Sequence, residues 1–150
     1  MKVLKLVYLK LLKTLKKLLN KMNIFGIGVD IVDNNRFKKL LKKKNLIKRI
    51  CSQKEINILK NKKNKLLFLS KRFSAKEAFV KSLGTGFRNN LCFTDISILN
   101  DKKGKPYFMF NKKLKNILKE KYKLKNFKAH LSLSDEKKHS ISYVILQKLK

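Results

Sequence analysis

Tryptophan is absent, proline occurs once and glycine five times in 150 residues. Pro and Gly this scarce exclude a collagen-like chain and a Pro/Gly-rich linker. Only two cysteines are present, Cys51 and Cys92. Two cannot build a disulfide framework, which points to a reducing, cytoplasmic setting. Both are expected to be buried as small apolar side chains. The longest uncharged stretches, Met22–Val29 and Ser140–Gln147, reach eight residues, and a membrane span needs roughly 18. His130 and His139 lack the partner spacing of a zinc site. No Gly-x-Ser-x-Gly elbow and no Gly-x-x-x-x-Gly-Lys phosphate loop occur. Acidic residues are few: nine Asp+Glu stand against 40 Lys+Arg, a net charge of +31.

What is present is apolar enough to fold. Hydrophobic residues make up 43%, too many for a disordered polycation, and the length suits one domain. The charge suggests an anionic partner: a nucleic acid, a membrane surface or an acidic protein. Arginine is the usual reader of bases and phosphates, because its fork pairs two acceptors. Only Arg36, Arg49, Arg72 and Arg88 occur among the 40 basic residues. Abundant Lys and Asn also follow from A/T-rich codons, so compositional drift with a modest basic face is favoured over nucleic-acid binding. A small RNA-binding protein stays as the alternative, although no RNA-recognition motif is found and the aromatics fall at core periods.

Along the chain, residues 1–21 place Leu4, Tyr8, Leu11, Leu15 and Leu18 at helical spacing with Lys opposite. This is a basic amphipathic extension. It suits an anionic membrane surface, or it precedes a true start at Met22. Asn23–Val32 is strand-like and contains two Gly. Asp33 or Asn34 caps a helix to about Lys44. Ser52 and Glu55 form a capping box for a helix to about Leu59. Leu66–Leu83 is the strongest helix, closed by Gly84. Leu91–Leu99 and Tyr107–Phe110 form strands around an Asp101–Lys105 turn, Lys112–Tyr122 a basic helix, and Phe127–Leu133 with Ser140–Leu149 a hairpin. Helices and strands mix without regular alternation, which predicts a single small α+β domain, mainly antiparallel, packed on the long helix.

Two segments can hold chemistry. Arg72-Phe-Ser-Ala-Lys-Glu-Ala-Phe-Val-Lys81 sets Phe73, Glu77 and Lys81 on one helix face. A carboxylate there can hold a metal while the lysine holds a phosphate; an ordinary surface Glu–Lys pair is the bland alternative. The Gly84-Thr-Gly86 end exposes backbone that can approach a phosphate, or is a simple C-cap turn. Gly26-Ile-Gly28-Val-Asp30 is not a dinucleotide fingerprint, since no third Gly follows. Asp30 is either a cation ligand or a helix-entry residue. Few carboxylates with open positions suit Mg²⁺ bridging substrate phosphates.

In order and spacing, these segments resemble the holo-[acyl-carrier-protein] synthase family of 4′-phosphopantetheinyl transferases. The matching residues are Ile24–Val32 with Arg36, Lys71–Lys81 running into Gly84–Gly86, Leu91–Phe93, Asn100-Asp101, Gly104–Pro106 and Leu131–Glu136. Members begin near Met22, which is why residues 1–21 are read as an extension and 22–150 as the transferase domain. The resemblance implies transfer of phosphopantetheine from coenzyme A to a serine of apo acyl carrier protein, in support of fatty acid biosynthesis, with adenosine 3′,5′-bisphosphate released. It implies Mg²⁺ on Asp30 and Glu77, and Lys81 stabilising charge on the transferring phosphate. The serine proton goes to a metal-bound water or to Glu77. Gly84, Thr85 and Gly86 would lie against coenzyme A, and Arg72 and Lys105 would meet its nucleotide phosphates. Arg36 and Arg49 would contact the carrier protein. Some relatives have His where this chain has Asp135, and others have Asp. A homotrimer with active sites between neighbours is also implied, with no specific nucleic-acid partner.

Overall fold

The computed structural model describes residues 23–88 and 90–149; the extension at residues 1–21 lies outside them. The chain opens with strand β1 (Ile24–Asp33) and helix α1 (Asn34–Leu40). Two short helices follow, α2 (Leu46–Ile50) and α3 (Gln53–Lys60), and then the long helix α4 (Lys65–Ser82). A 3₁₀ turn (Phe93–Asp95) leads into β2 (Ile96–Asn100) and β3 (Pro106–Phe110). Helix α5 (Lys112–Tyr122) and the hairpin β4 (Phe127–Asp135) and β5 (His139–Lys148) complete the chain.

Local chemistry sets most helix starts. Asp33 accepts from the Asn35 and Arg36 amides, at 2.8 and 2.9 Å. Ser52 and Glu55 form the expected reciprocal box. Asn64 and Asn111 cap α4 and α5 by accepting from Leu67 and Leu114. Each cap satisfies an amide that the helix itself leaves without a partner. Gly84 follows α4 at φ +77°, a left-handed position that costs glycine nothing.

Two sheets form rather than one. The larger has the order β1-β5-β4, antiparallel throughout, and the smaller pairs β2 with β3. Helix α4 runs through the middle of the molecule, with buried residues on every side of it, from Phe68 and Leu69 to Ser82. One apolar cluster, including Phe79, Val80, Ile98, Leu118 and Leu146, joins α4 to both sheets and α5. A second, including Val32, Phe37, Ile50 and Phe68, fills the space under α1, α2 and α3.

The α4–β1 contact is unusually close. Cβ atoms built on Gly26 and Gly28 would fall 2.0 Å from the Ser82 carbonyl oxygen and 1.9 Å from that of Ala78. Small polar side chains complete the contact. Ser74 Oγ donates to Ser142 Oγ (2.6 Å) and to the Asp30 carbonyl (3.2 Å). Ser70 and Ser140 share a hydrogen bond of 2.9 Å. The two glycines thus bring backbone against backbone, as glycine in a strand often does.

Three local expectations needed correction. The helix expected to reach Lys44 ends at Leu40 and resumes at Leu46, after Asn45 adopts φ +62°. The strand expected from Leu91 begins at Ile96, because Asp95 accepts from the Cys92 amide and folds that stretch into the 3₁₀ turn. Cys51 is buried, but Cys92 is exposed, lying at the mouth of that turn. Burial pushes the Cys51 thiol up to about 11, with the Glu55 carboxylate adding to the effect.

The imbalance of 40 basic against nine acidic residues leaves too few carboxylates to pair with most lysines. Screening should relieve that repulsion. The melting temperature is therefore expected to rise from low to moderate salt. A value that is flat or falls in a salt-series thermal melt would contradict this.

Candidate active site

Asp30 lies near the end of β1, and its backbone carbonyl is tied to α4 through Ser74. Four residues further along the helix than Ser74, Ala78 packs over Gly28. The strand thus runs antiparallel to α4, with Asp30 beside Ser74, Gly28 beside Ala78 and Gly26 beside Ser82. Lys81 Nζ donates to Asp30 Oδ1 at 2.8 Å, with the Asp30 side chain 13% exposed and Lys81 51% exposed. Glu77, one turn before Lys81, is half-buried. Burial raises its carboxyl above the usual range, the nearby Asp30 charge raises it further, and Lys81 partly offsets both.

Asp30 and Glu77, 47 positions apart in the sequence, are therefore electrostatic neighbours. Two carboxylates with one mobile lysine between them form a hard-oxygen donor pair, the chemistry that suits Mg²⁺ when a substrate's phosphates complete its coordination. Among the described residues there is no group of three or more His, Cys, Asp or Glu side chains that could hold a metal by itself. Both histidines are exposed.

A cation held by Glu77 would need its carboxyl ionised, so any divalent-metal affinity of this pair should fall as pH drops through the raised pKa of Glu77. The midpoint should lie above the ordinary 4.5. Mn²⁺ binding followed by electron paramagnetic resonance across pH 4–8 would test this, and a midpoint at or below the ordinary value would contradict it.

The other predicted residues distribute around this pair. Gly84, Thr85 and Gly86 continue directly from α4, with both glycines at positive φ (+77° and +66°). Thr85 Oγ1 shares a 2.8 Å hydrogen bond with the Tyr122 hydroxyl at the end of α5. Arg72 faces away from the carboxylates. It lines a cavity of about 900 Å³ together with Lys62, Lys63, Lys71, Asn100 and Asp135. Its Nη2 donates to Asn100 Oδ1 at 3.0 Å, and its guanidinium lies 3.8 Å from the Phe68 ring centre. Nε of Arg72 is buried without a hydrogen-bond partner. Lys105 does not join Arg72. It lines a neighbouring hollow of about 470 Å³ with His130 and Tyr143, on the far side of the Asn100–Pro106 turn. Arg36, on α1, and Arg49, on α2, are both exposed and lie among Lys38, Lys39, Lys42, Lys43, Lys44 and Lys48.

Two features escaped the sequence. Asn100, read from the sequence only as part of the Asn100-Asp101 match, orients Arg72. Asp135 forms an ion pair with Lys71 at the cavity wall, at 2.8 Å. Both depend on contacts between distant segments, and neither leaves a local signal.

An α+β domain with two electrostatically coupled carboxylates, a lysine paired to one of them and a separate cavity lined by Lys62, Lys63, Lys71 and Arg72 has the chemistry of proteins that handle phosphate esters. The family model of the 4′-phosphopantetheinyl transferase superfamily matches residues 26–144. Holo-[acyl-carrier-protein] synthase of Pelagibacter ubique is 57% identical over 127 residues, covering 85% of this chain and 99% of that protein. The crystal structure of the synthase from Neisseria meningitidis superposes with a TM-score of 0.76 at 35% identity, covering 83% of this chain and 99% of that one. The Bacillus anthracis synthase, solved in complex with CoA (3′,5′-ADP), gives 0.71 at 33% identity, covering 84% and 98%. The chain belongs to the 4′-phosphopantetheinyl transferase superfamily, within its holo-[acyl-carrier-protein] synthases.

Proposed function

We propose that this chain transfers 4′-phosphopantetheine from coenzyme A to a serine hydroxyl of apo acyl carrier protein, with Asp30, Glu77 and Lys81 at its active centre and residues 22–150 as its transferase domain. The observation that carries this is the convergence of Asp30, Glu77 and Lys81 at the end of α4 that opens into Gly84–Gly86. Attack on a diphosphate needs charge neutralisation and alignment more than covalent help. A Mg²⁺ ion held by Asp30 and Glu77 would supply charge neutralisation at the diphosphate. Lys81, half-exposed and on a flexible stem, can leave Asp30 and hydrogen-bond an oxygen of the transferring phosphate. A Cβ added at Gly84 or Gly86 would meet nothing within 4 Å; the Gly84 amide already donates to the Lys81 carbonyl, so a phosphate would approach through the Thr85 and Gly86 side of this loop. Arg72, which lines the large cavity with Lys62, Lys63 and Lys71, suits the nucleotide end of coenzyme A. Lys105 would reach that end from the adjoining hollow.

Arg36 and Arg49 are assigned to the carrier-protein face. Acyl carrier proteins are acidic, and an exposed basic surface on α1 and α2 steers such a partner into encounter. A cytoplasmic setting goes with two free thiols, and a role in fatty acid biosynthesis goes with the carrier protein. No helix among the described residues is long and apolar enough to cross a membrane.

The chain is further proposed to work as a homotrimer. Ile27, Val29 and Ile31 on the outer face of β1 are 53, 55 and 60% exposed. They sit beside Ile141 and Tyr143, which are 40 and 43% exposed. An apolar patch of this extent marks a contact surface. Val29→Asp with Ile31→Asp should shift sedimentation velocity from trimer to monomer; a wild-type monomer would contradict the assignment.

The activity itself is tested by incubating the full chain with apo acyl carrier protein, coenzyme A and Mg²⁺. A mass gain of one phosphopantetheine on the carrier is expected, and its absence would refute the proposal.

A further inference from the structure

We infer that Lys76 is a positioning residue that, clamped by Glu55, sets the direction in which its neighbour Glu77 faces Asp30 and ties that carboxylate to the basic α2 segment. The inference rests on the assignment of Glu77 to the active centre.

Lys76 and Glu55 are both fully buried, at 0% side-chain exposure. Lys76 Nζ donates to Glu55 Oε2 (2.6 Å), the Ile50 carbonyl (2.7 Å) and the Phe93 carbonyl (3.0 Å). An ammonium has three N–H donors, so all of them are used. Glu55 is equally occupied: Oε2 also accepts from the Ser52 amide (2.8 Å), and Oε1 accepts from the Ile98 amide (2.9 Å). The C-terminal end of α2, the N-terminal end of α3 and the 3₁₀ turn thus meet on one side chain of α4, and Glu55 ties strand β2 to the same point. Burial pulls the Lys76 ammonium toward its neutral form, and the Glu55 charge opposes that pull.

Stability alone is a weak reason for such a pair. A buried ion pair is often replaceable by apolar side chains without loss of stability, whereas removing one partner is strongly destabilising. What this pair supplies is a fixed angle. Successive residues project about 100° apart around a helix. Anchoring Lys76 at three points on one side therefore dictates the bearing of Glu77 on the next. A rotation of about 10° would swing a side-chain end some 5–6 Å from the helix axis by about 1 Å, and a misplacement of that size can cost about 100-fold in rate. The same ammonium holds Ile50, the residue after Arg49, so a load on the α2 surface is transmitted to the residue preceding Glu77.

The test compares Glu55→Gln/Lys76→Met, Lys76→Met and Glu77→Gln with wild type in the full chain. Readouts are the melting temperature, kcat, both KM values, and Mn²⁺ affinity with coenzyme A present. Lys76→Met strands the Glu55 charge and should melt about 10 °C lower. The double variant is neutral at this point and should melt within about 5 °C of wild type. Its kcat should nevertheless fall at least about 10-fold, exceeding any change in KM, and its Mn²⁺ affinity should weaken severalfold. Glu55→Asp, which keeps the charge but shortens the reach to Lys76 by one methylene, has the same kinetic expectation and serves if the double variant does not fold. A folded variant with kcat and Mn²⁺ affinity within about two-fold of wild type, beside an inactive Glu77→Gln, overturns this inference alone. A fully active Glu77→Gln overturns the assignment beneath it and this inference with it.

Discussion

Phosphopantetheine transfer is expected to fall at least about 100-fold in Asp30→Ala and in Glu77→Ala, with the fold retained. Each change removes one of two carboxylates, on β1 and α4, that influence each other electrostatically. The stability cost should be small for Asp30. Its carboxylate makes one ion pair, to a half-exposed Lys81, and such pairs contribute up to about 1 kcal/mol before solvent screening is discounted. Glu77→Ala relieves the burial that raises its carboxyl, so the folded state should not suffer from that change either. Glu77 also reports on Asp30. In Asp30→Asn the Asp30 contribution to its raised pKa disappears while the burial contribution stays, so Glu77 should titrate lower than in wild type but still above the ordinary value. Carbon-detected NMR of the Glu77 carboxyl would follow this. Wild-type transfer in either alanine variant, or an unmoved Glu77 titration in Asp30→Asn, would refute the proposed centre.

A large loss of stability is expected from one added methyl group. Gly28→Ala places a Cβ 1.9 Å from the Ala78 carbonyl oxygen and 2.7 Å from the Ser82 amide nitrogen. Neither neighbour is a flexible side-chain tip. Both are backbone of the helix that runs through the middle of the molecule, so α4 must move as a unit or the strand must bulge. Overpacking in a core costs about 1–3 kcal/mol even where side chains can adjust, and rigid backbone should place this change at or above about 3 kcal/mol. A residual folded population would have α4 displaced from β1, which separates Glu77 from Asp30. Denaturant melts of Gly28→Ala are expected to show the loss directly. A midpoint within a few tenths molar of wild type would mean that the two elements are not in the contact described.

Elements with strong local chemistry were legible in the sequence. The Ser52–Glu55 box, the glycine after α4 and the Lys112–Tyr122 helix follow from capping and periodicity, which act within a few residues. The break between α1 and α2 was not legible. Lys42, Lys43 and Lys44 are ordinary helix formers, and the chain turns there because Leu46, Ile47 and Ile50 pack back onto the cluster around Phe37 and Phe68. The early start assigned to β2 failed for a similar reason. Asp95 is held by Asn111 and Lys113, at 2.8 and 3.0 Å, and those contacts cross 16 and 18 positions. Of the centre itself, Glu77 and Lys81 could be placed on one helix face by counting. That Lys81 pairs with Asp30, that Arg72 turns to a different cavity, and that Lys105 opens on a third surface could not. Glu55 was visible as a cap, but its second task, meeting Lys76, was not.

By itself the sequence determined what short-range chemistry can encode: the residue types, the helix termini, an α+β mixture, and a Gly-x-Gly-x-Asp run whose glycines demand a close neighbour without naming it. Tertiary structure alone decided that the neighbour is α4, that Asp30 and Glu77 share one electrostatic environment, and that a lysine in the middle of that helix has its counter-ion on α3. The physical reason is range. Capping and periodicity act over three or four residues, whereas a carboxylate's protonation and a lysine's burial are set by whatever the folded chain brings within a few ångström, however distant in sequence.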